Sequence, residues 1–443
     1  MRKKNAAETS PLPARAGTVI LGAGLTGLIT ARELLRAGES DVLVLERDSR
    51  PGGLLKTNRN AGVTIDELPH VFFTRDRRAA GIFRELAGPV RSFRHNLGVM
   101  WKGGWVDFPF QNNVHQLSPE DRLRVLRSLL EGRLAAPPAA PRDLEQLALR
   151  ELGAGITELF FRPYNEKLWQ TPLAGMSCGW LASKIRLPGP AELAAGILGL
   201  KPAAAGDVAP HAEFIYPRTG GIEGVVENLL RSLAPLSPLC STEVTRIDPR
   251  RRVVRTSRGE VRYGRLVSTL PLPSALKLAG LGGLAARRRL RATRVLCVHY
   301  ALSAVNLPPY HWIYAPDPAL PYYRLTRADL FNPSAFPGGK ALLAECALPC
   351  GSASAPAGLA ARVTASLVRQ GIIRKRDIKG VWAYDHWPAY PVPHVAHAED
   401  TRAALAALEK AGIVSSGRFG EWAVYNMDHS IEAGLAAAGK ILK

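Results

Sequence analysis

The stretch Gly17–Glu46, GTVILGAGLTGLITARELLRAGESDVLVLE, decides the fold. Its first residues, Gly17–Ala23, form a short apolar run that reads as a buried strand, and the run ends in Gly22-Ala-Gly24-Leu-Thr-Gly27. Leu25–Leu35 then carry helical periodicity, with Gly38 beyond them, and Asp41–Glu46 read as a second strand. Strand, glycine turn, helix and strand in this order predict an α/β chain that begins a parallel sheet. In a GxGxxG turn, the first glycine permits the bend. The second lets the backbone approach a pyrophosphate, and the third lets helix and strand pack closely. The helix start offers free N–H groups to phosphate. Glu46 closes the second strand at the distance expected of an acid that binds a ribose hydroxyl. Gly22, Gly24, Leu25, Thr26, Gly27 and Glu46 are therefore candidate dinucleotide-binding residues.

Outward from this unit the chain changes character. Ser118 reads as the cap of a helix with Asp121 three residues on and an apolar face of Leu123, Leu126 and Leu130. Ala135–Pro141 breaks the pattern, and Leu144–Phe161 resumes it with a bend near Gly153 and Gly155. Short β-runs follow at Glu243–Ile247, Arg252–Thr256, Glu260–Tyr263, Arg265–Thr269, Val295–Leu302 and Ala341–Ala347. Helices are expected near Ala403–Lys410 and from about His429. We expect a discontinuous Rossmann-type domain at 15–95, 211–290 and 396–443, a sheet segment at 96–115, a mainly helical insertion at 116–210, and an antiparallel-sheet substrate domain at 291–395.

Composition narrows the classes. The chain has 443 residues, 47% hydrophobic and 22% charged, so it reads as ordinary globular protein of more than one domain. Its formal net charge is +20. The basic residues are scattered, and the clusters Arg250–Arg252 and Arg287–Arg289 lack interleaved aromatics, which argues against nucleic acid. A solvated basic surface, able to draw in anionic substrates or to associate weakly with an anionic membrane, is the expectation. The five cysteines are odd in number and, apart from Cys346 and Cys350, far apart, which argues against a disulfide scaffold and a zinc site. The N-terminus lacks an apolar run, and no apolar stretch is long enough to span a bilayer. A cytoplasmic protein without bound metal is expected; the oligomeric state is open.

Further segments carry a family resemblance. Arg47-Asp-Ser-Arg-Pro51-Gly52-Gly53-Leu54, just past Glu46, resembles the second glycine pair of FAD proteins such as amine oxidases, porphyrinogen oxidases and UDP-galactopyranose mutases. Glu243-Val244-Thr245 resembles their adenine strand. Gly417-Arg418 with Asn426-Met427-Asp428-His429-Ser430 resembles their C-terminal flavin segment. The resemblance implies FAD held additionally by Arg47, Gly52, Gly53, Leu54, Val244, Gly417, Arg418, Asn426, Met427 and Ser430.

More specific stretches are similar to UDP-galactopyranose mutases. They are Leu68-Pro69-His70, Phe108-Pro-Phe110-Gln111-Asn112-Asn113, Arg162-Pro-Tyr164-Asn-Glu-Lys-Leu-Trp169, Trp312-Ile-Tyr314 with Tyr322-Tyr323-Arg324, and Ala389-Tyr390-Pro391. By that resemblance, His70 packs on the flavin. Phe108, Phe110, Gln111, Asn112, Arg162, Tyr164, Trp169, Trp312, Tyr314, Tyr390 and Tyr425 contact substrate, a UDP-sugar by preference. The family interconverts pyranose and furanose nucleotide sugars, with N5 of reduced flavin attacking the anomeric carbon; NAD(P)H is a candidate reductant. Arg324 is then one phosphate clamp. An ungapped count from Arg162 places the second on Lys184, with Arg186 two residues later and better suited to bidentate contact. Val424 stands where the family has a phosphate tyrosine, with Tyr425 one place on, and Leu68 replaces the usual glycine of the histidine loop.

Simpler readings stand beside these. Phe108 and Phe110 alternate as strand core residues would, Arg162 could pair with Glu166, and Trp312 and Tyr314 could form one packed strand face. An FAD-dependent oxidoreductase of the amine or porphyrinogen oxidase type needs only the shared FAD motifs. A flavin scaffold that binds anionic partners without catalysis is a third reading.

Overall fold

A computed structural model of the chain describes residues 11–60, 62–134, 140–179, 189–200, 212–287 and 289–443. Two large sheets organise them. The first is six-stranded. Arg15–Leu21 lies parallel between Val42–Leu45 and Gly259–Ser268. Gly259–Ser268 pairs antiparallel with Val253–Thr256, which pairs with Val244–Asp248, and it also takes Ile413–Ser415 in parallel. Glu260–Tyr263 and Arg265–Thr269, expected as two strands, are one, running through Gly264.

The helix Leu25–Arg36 covers one face of this sheet and packs along the helix Met427–Leu442. Leu28, Ile29 and Leu34 are fully buried there, each contributing about 2 kcal/mol. Thr26 Oγ1 donates to the Ser430 carbonyl at 3.0 Å, joining the two helices 404 residues apart. Chain segments that are remote in sequence thus close over the first sheet.

The second sheet has seven strands, in the order Ile378–Pro391, Ala292–Leu302, Lys340–Leu348, Arg324–Arg327, Trp312–Tyr314, Leu97–Trp101 and Gly104–Asp107. All neighbours are antiparallel except Trp312–Tyr314 with Leu97–Trp101. A separate apolar core, with Leu359–Arg369 as its helix, fills one side. The long strand Ile378–Pro391 had no counterpart in the sequence reading, because Gly380, Asp385 and Pro388 interrupt its pattern and apolar residues such as Val381 fall on its exposed side as well as on its inward one.

Between the sheets the chain is helical, with helices Pro119–Leu134, Leu144–Ile156, Arg162–Trp169 and Pro190–Leu198. The expected bend is at Gly153 (φ 72°), followed by a π-helical turn over Thr157–Phe161. Ser118 caps the first of these helices, accepting the Asp121 N–H at 3.2 Å. Its inward face is not the expected one. Leu123, Leu126 and Leu130 are 64%, 40% and 59% exposed, while Val125 is buried and Asp121 turns inward to meet Lys102 Nζ at 2.8 Å. The ion pair and the close approach of Gly155 to Val125, which leaves no room for a side chain, rotate the leucines outward. The fold as a whole is the expected α/β architecture on a dinucleotide-binding sheet.

Candidate flavin and substrate cavity

The glycine turn is built to bring backbones together. A side chain on Gly27 would place its Cβ 2.1 Å from the Gly22 carbonyl oxygen, so only glycine lets helix and strand close. Gly52 donates to the Ala23 carbonyl at 2.9 Å, and a Cβ on Gly53 would lie 3.2 Å from the Gly24 Cα. The two glycine motifs, 28 residues apart in the chain, form one surface. Glu46 holds it together: Oε2 accepts the Ala23 N–H at 2.8 Å and Oε1 the Asp48 N–H at 2.9 Å. Lone pairs remain on both oxygens for ribose hydroxyls.

This surface is one wall of a cavity of about 520 Å³. Gly24, Leu25, Thr26, Gly52, Gly53, Leu54, Gly417, Arg418, Asn426, Met427 and Ser430 line it, as do His70, Phe108, Gln111, Trp312, Tyr314, Arg324, Tyr390 and Tyr425. Gly24 and Asn426 are the residues before two helix starts, so two positive helix ends meet at the same wall. Val244 is half-buried at the start of its strand, outside the lining. Arg47 is also outside it, 66% exposed and 3.6 Å from Asp48.

Two buried groups here await partners. Arg418 donates to the carbonyls of Tyr425 and, at 2.8 Å, Ala389, and stacks 5.0 Å from the Tyr390 ring, but its buried Nε has no hydrogen-bond partner. Burial pulls its pKa below the ordinary arginine value. His70 Nδ1 is likewise buried without a partner. Burial first, then the Arg418 charge, drives the His70 pKa down to about 3, so the imidazole is neutral. Orphaned nitrogens beside the glycine wall suit the heteroatom edge of a flavin.

The opposite side carries Arg324. Its fork meets the fully buried Glu345, Nε to Oε2 at 2.5 Å and Nη2 to Oε1 at 2.7 Å. Burial is the largest single influence and lowers the arginine's pKa, but the Glu345 charge and hydrogen bond together with Tyr323 and Tyr390 outweigh it and hold the pKa well above the ordinary value. Phe108 lies 4.8 Å from Tyr314, and Tyr164 packs edge-on to Tyr314 at 5.2 Å. Trp312 stacks on His95 at 5.3 Å. Glu345, His95, Phe73 and Leu97 line the cavity although no sequence signal marked them. Glu345 acquires its place from strand register, which a linear reading does not supply.

Several expected substrate residues sit elsewhere. Phe110 is fully buried and stacks on Phe160 at 4.8 Å, so it is a core residue. Asn112 lies behind it, outside the lining, and Trp169 is core, edge-on to Tyr390 at 5.7 Å. Tyr164 supports Tyr314 from outside the lining. Arg162 is drawn away by three carboxylates, Glu145 at 2.6 Å, Glu158 at 2.9 Å and Glu166 at 3.6 Å. In the same helix Lys167 Nζ donates to the carbonyls of Ala315, at 3.0 Å, and Asp317, at 2.7 Å, fixing the loop after Tyr314. The Tyr425 hydroxyl is taken up by Glu421 Oε2 at 2.5 Å, so it is not free for phosphate. Lys184 and Arg186 lie outside the described residues. Among the described residues there is no cluster suited to a metal ion, and no helix is long and apolar enough to cross a membrane.

A dinucleotide sheet, a double glycine wall and a cationic cavity with orphaned donors define a flavin-binding protein. The chain belongs to the flavin containing amine oxidoreductase family, whose model matches residues 25–442. It is 31% identical over 165 residues to chloroplastic protoporphyrinogen oxidase of Oryza sativa subsp. japonica, a stretch that is 34% of this chain and 30% of that protein. The structure of reduced UDP-galactopyranose mutase matches with a TM-score of 0.87 and 26% identity over 96% of this chain and 95% of that one. A putative protoporphyrinogen oxidase from Exiguobacterium sp. 255-15 matches at 0.75 and 17% identity, over 98% and 99% of the two chains. Cyclohexylamine oxidase from Brevibacterium oxydans matches at 0.66 and 16%, over 96% and 98%. These last two show shared fold alone.

Proposed function

We propose that this protein is an FAD-dependent mutase that interconverts pyranose and furanose forms of a nucleotide sugar, most simply a UDP-sugar. The observation that carries the reading is Arg324, set among Tyr314, Tyr390, Phe108 and Gln111 in the same cavity as the glycine wall. A guanidinium ringed by tyrosines suits a diphosphate beside a sugar. The structural match to reduced UDP-galactopyranose mutase supports it.

When bound, the reduced flavin supplies a nucleophilic ring nitrogen for the anomeric carbon. The protein's own part is electrostatic and geometric. Arg324 stabilises charge that grows on the departing diphosphate. Tyr390, whose hydroxyl has no partner within the described residues, donates to a phosphate oxygen. Neutral His70 packs at the glycine wall without adding a second charge beside Arg418. Phe108 and Gln111 hold the base. Lys184 or Arg186 completes the diphosphate clamp.

An oxidoreductase of the porphyrinogen oxidase type is the second reading, favoured by the apolar limb of the cavity at Val71, Phe73 and Leu97. Incubating the protein with a panel of nucleotide sugars, with and without dithionite, separates the two. Ring-isomer product from the reduced protein alone, without oxygen uptake, supports the mutase. Product formation tied to sustained oxygen uptake supports the oxidase.

A further inference from the structure

Arg324 and Glu345 are directly opposite one another on neighbouring antiparallel strands. Four donor contacts converge on the Glu345 carboxylate: two from the Arg324 fork, the Tyr323 hydroxyl at 2.9 Å and Thr326 Oγ1 at 3.5 Å. Glu345 is 0% exposed while the Arg324 side chain keeps 20%. The carboxylate is thus wholly inside, and the guanidinium reaches from it to the cavity. Nε and Nη2 are engaged, and Nη1 is the guanidinium nitrogen with no hydrogen bond among the described residues.

A long arginine side chain offered to a cavity would otherwise sample several rotamers. A two-point fork on a buried carboxylate fixes the plane as well as the position. It also offsets the charge. Arg418, the other cation on the described lining, bonds to carbonyls and keeps its charge uncompensated.

We infer that Glu345 is a positioning residue. It holds the Arg324 guanidinium so that Nη1 is the donor presented to a diphosphate, and it makes that contact one of direction rather than of net charge. This rests on the nucleotide-sugar reading. A purely structural Glu345 would stabilise the strand pair and have no separate effect on the ligand.

The test is a double-mutant cycle on flavin-loaded protein. Binding of UDP and of inorganic pyrophosphate is measured by calorimetry beside turnover. Arg324→Ala leaves a buried carboxylate at the cavity with no cation, and affinity should fall roughly 10- to 100-fold. Adding Glu345→Gln removes the orphaned charge and should restore at least about 5-fold. Glu345→Gln alone should keep affinity within about 3-fold, since lost direction is offset by gained net charge, yet slow turnover about 10- to 100-fold. If that variant does not load flavin, Glu345→Asp keeps the charge but withdraws the fork. It should slow turnover with little change in melting temperature. Losses that add in the double variant, or equal loss of binding, turnover and stability in Glu345→Asp, overturn the inference. Wild-type protein that binds pyrophosphate but not UDP would defeat the nucleotide reading and leave the cycle to be run with pyrophosphate. Binding of neither overturns both.

Discussion

Glu46 Oε2 accepts the backbone N–H of Ala23 at 2.8 Å, tying the end of the second strand to the turn after the first. The carboxylate therefore shapes the glycine wall from behind. Gly24→Val would put a branched side chain on the cavity side of that wall, where the second glycine of the motif admits a pyrophosphate. Flavin occupancy, read from absorbance per protein, should fall at least about tenfold. Stoichiometric flavin in that variant would place the cofactor elsewhere.

His70 gives the protein an acid-labile element. Its pKa is about 3 in the fold and near 6.5 when unfolded, so between these values the unfolded chain binds more protons. Stability is complete above about pH 6.5 and is lost as pH falls toward 3, by about 4 kcal/mol if the site stays closed. His299 and His397, both lowered to about 4 by burial, act in the same direction. Buried Asp66, raised to about 6, acts oppositely: protons favour the fold there, and its contribution declines as pH rises from about 4 to 6. His70→Gln should flatten the acid limb of the melting-temperature profile. A limb as steep as wild type's would show that His70 is protonated in the fold.

Arg324 separates the two functional readings. Removing it should harm a transition state in which diphosphate charge is growing more than the bound ground state. Arg324→Ala should slow mutase turnover roughly 30- to 1,000-fold, about 2–4 kcal/mol, at matched flavin content. Arg324→Lys should recover little, because an ammonium cannot make the fork with Glu345 and still present a donor. Unchanged turnover would make the arginine structural.

Arg162 should behave in the opposite way. Its three carboxylate partners span two helices and the π turn, and its side chain is 24% exposed. Arg162→Ala should cost about 1–2 kcal/mol of stability, as partly shielded ion pairs do. Nucleotide affinity should stay within about 2-fold, and calorimetry of binding beside thermal melts checks both. A large loss of affinity without loss of stability would return Arg162 to the site.

The sequence by itself determined the dinucleotide unit, because everything in it is local. The bend, the helix start and Glu46 lie within 30 residues, and the steric demand that makes Gly27 a glycine is set by Gly22 five residues earlier. The second glycine pair and the segment from Gly417 to Ser430 were legible as short motifs through their resemblance to other FAD proteins, and both line the cavity. Tertiary structure alone decided which aromatic and charged side chains reach the cavity. Phe108 lines it and Phe110 does not, although both stand in one motif, because cavity and core lie on different sides of a turn. Leu123, Leu126 and Leu130 face outward because Lys102 and Gly155, contributed by other elements, set the roll of their helix. Arg324 meets Glu345 because two strands pair in one register, and a shift of a single residue would turn the carboxylate to the other face. Contacts between distant segments depend on register and helix roll, which are properties of the packed whole, whereas a glycine turn carries its geometry in its own few residues.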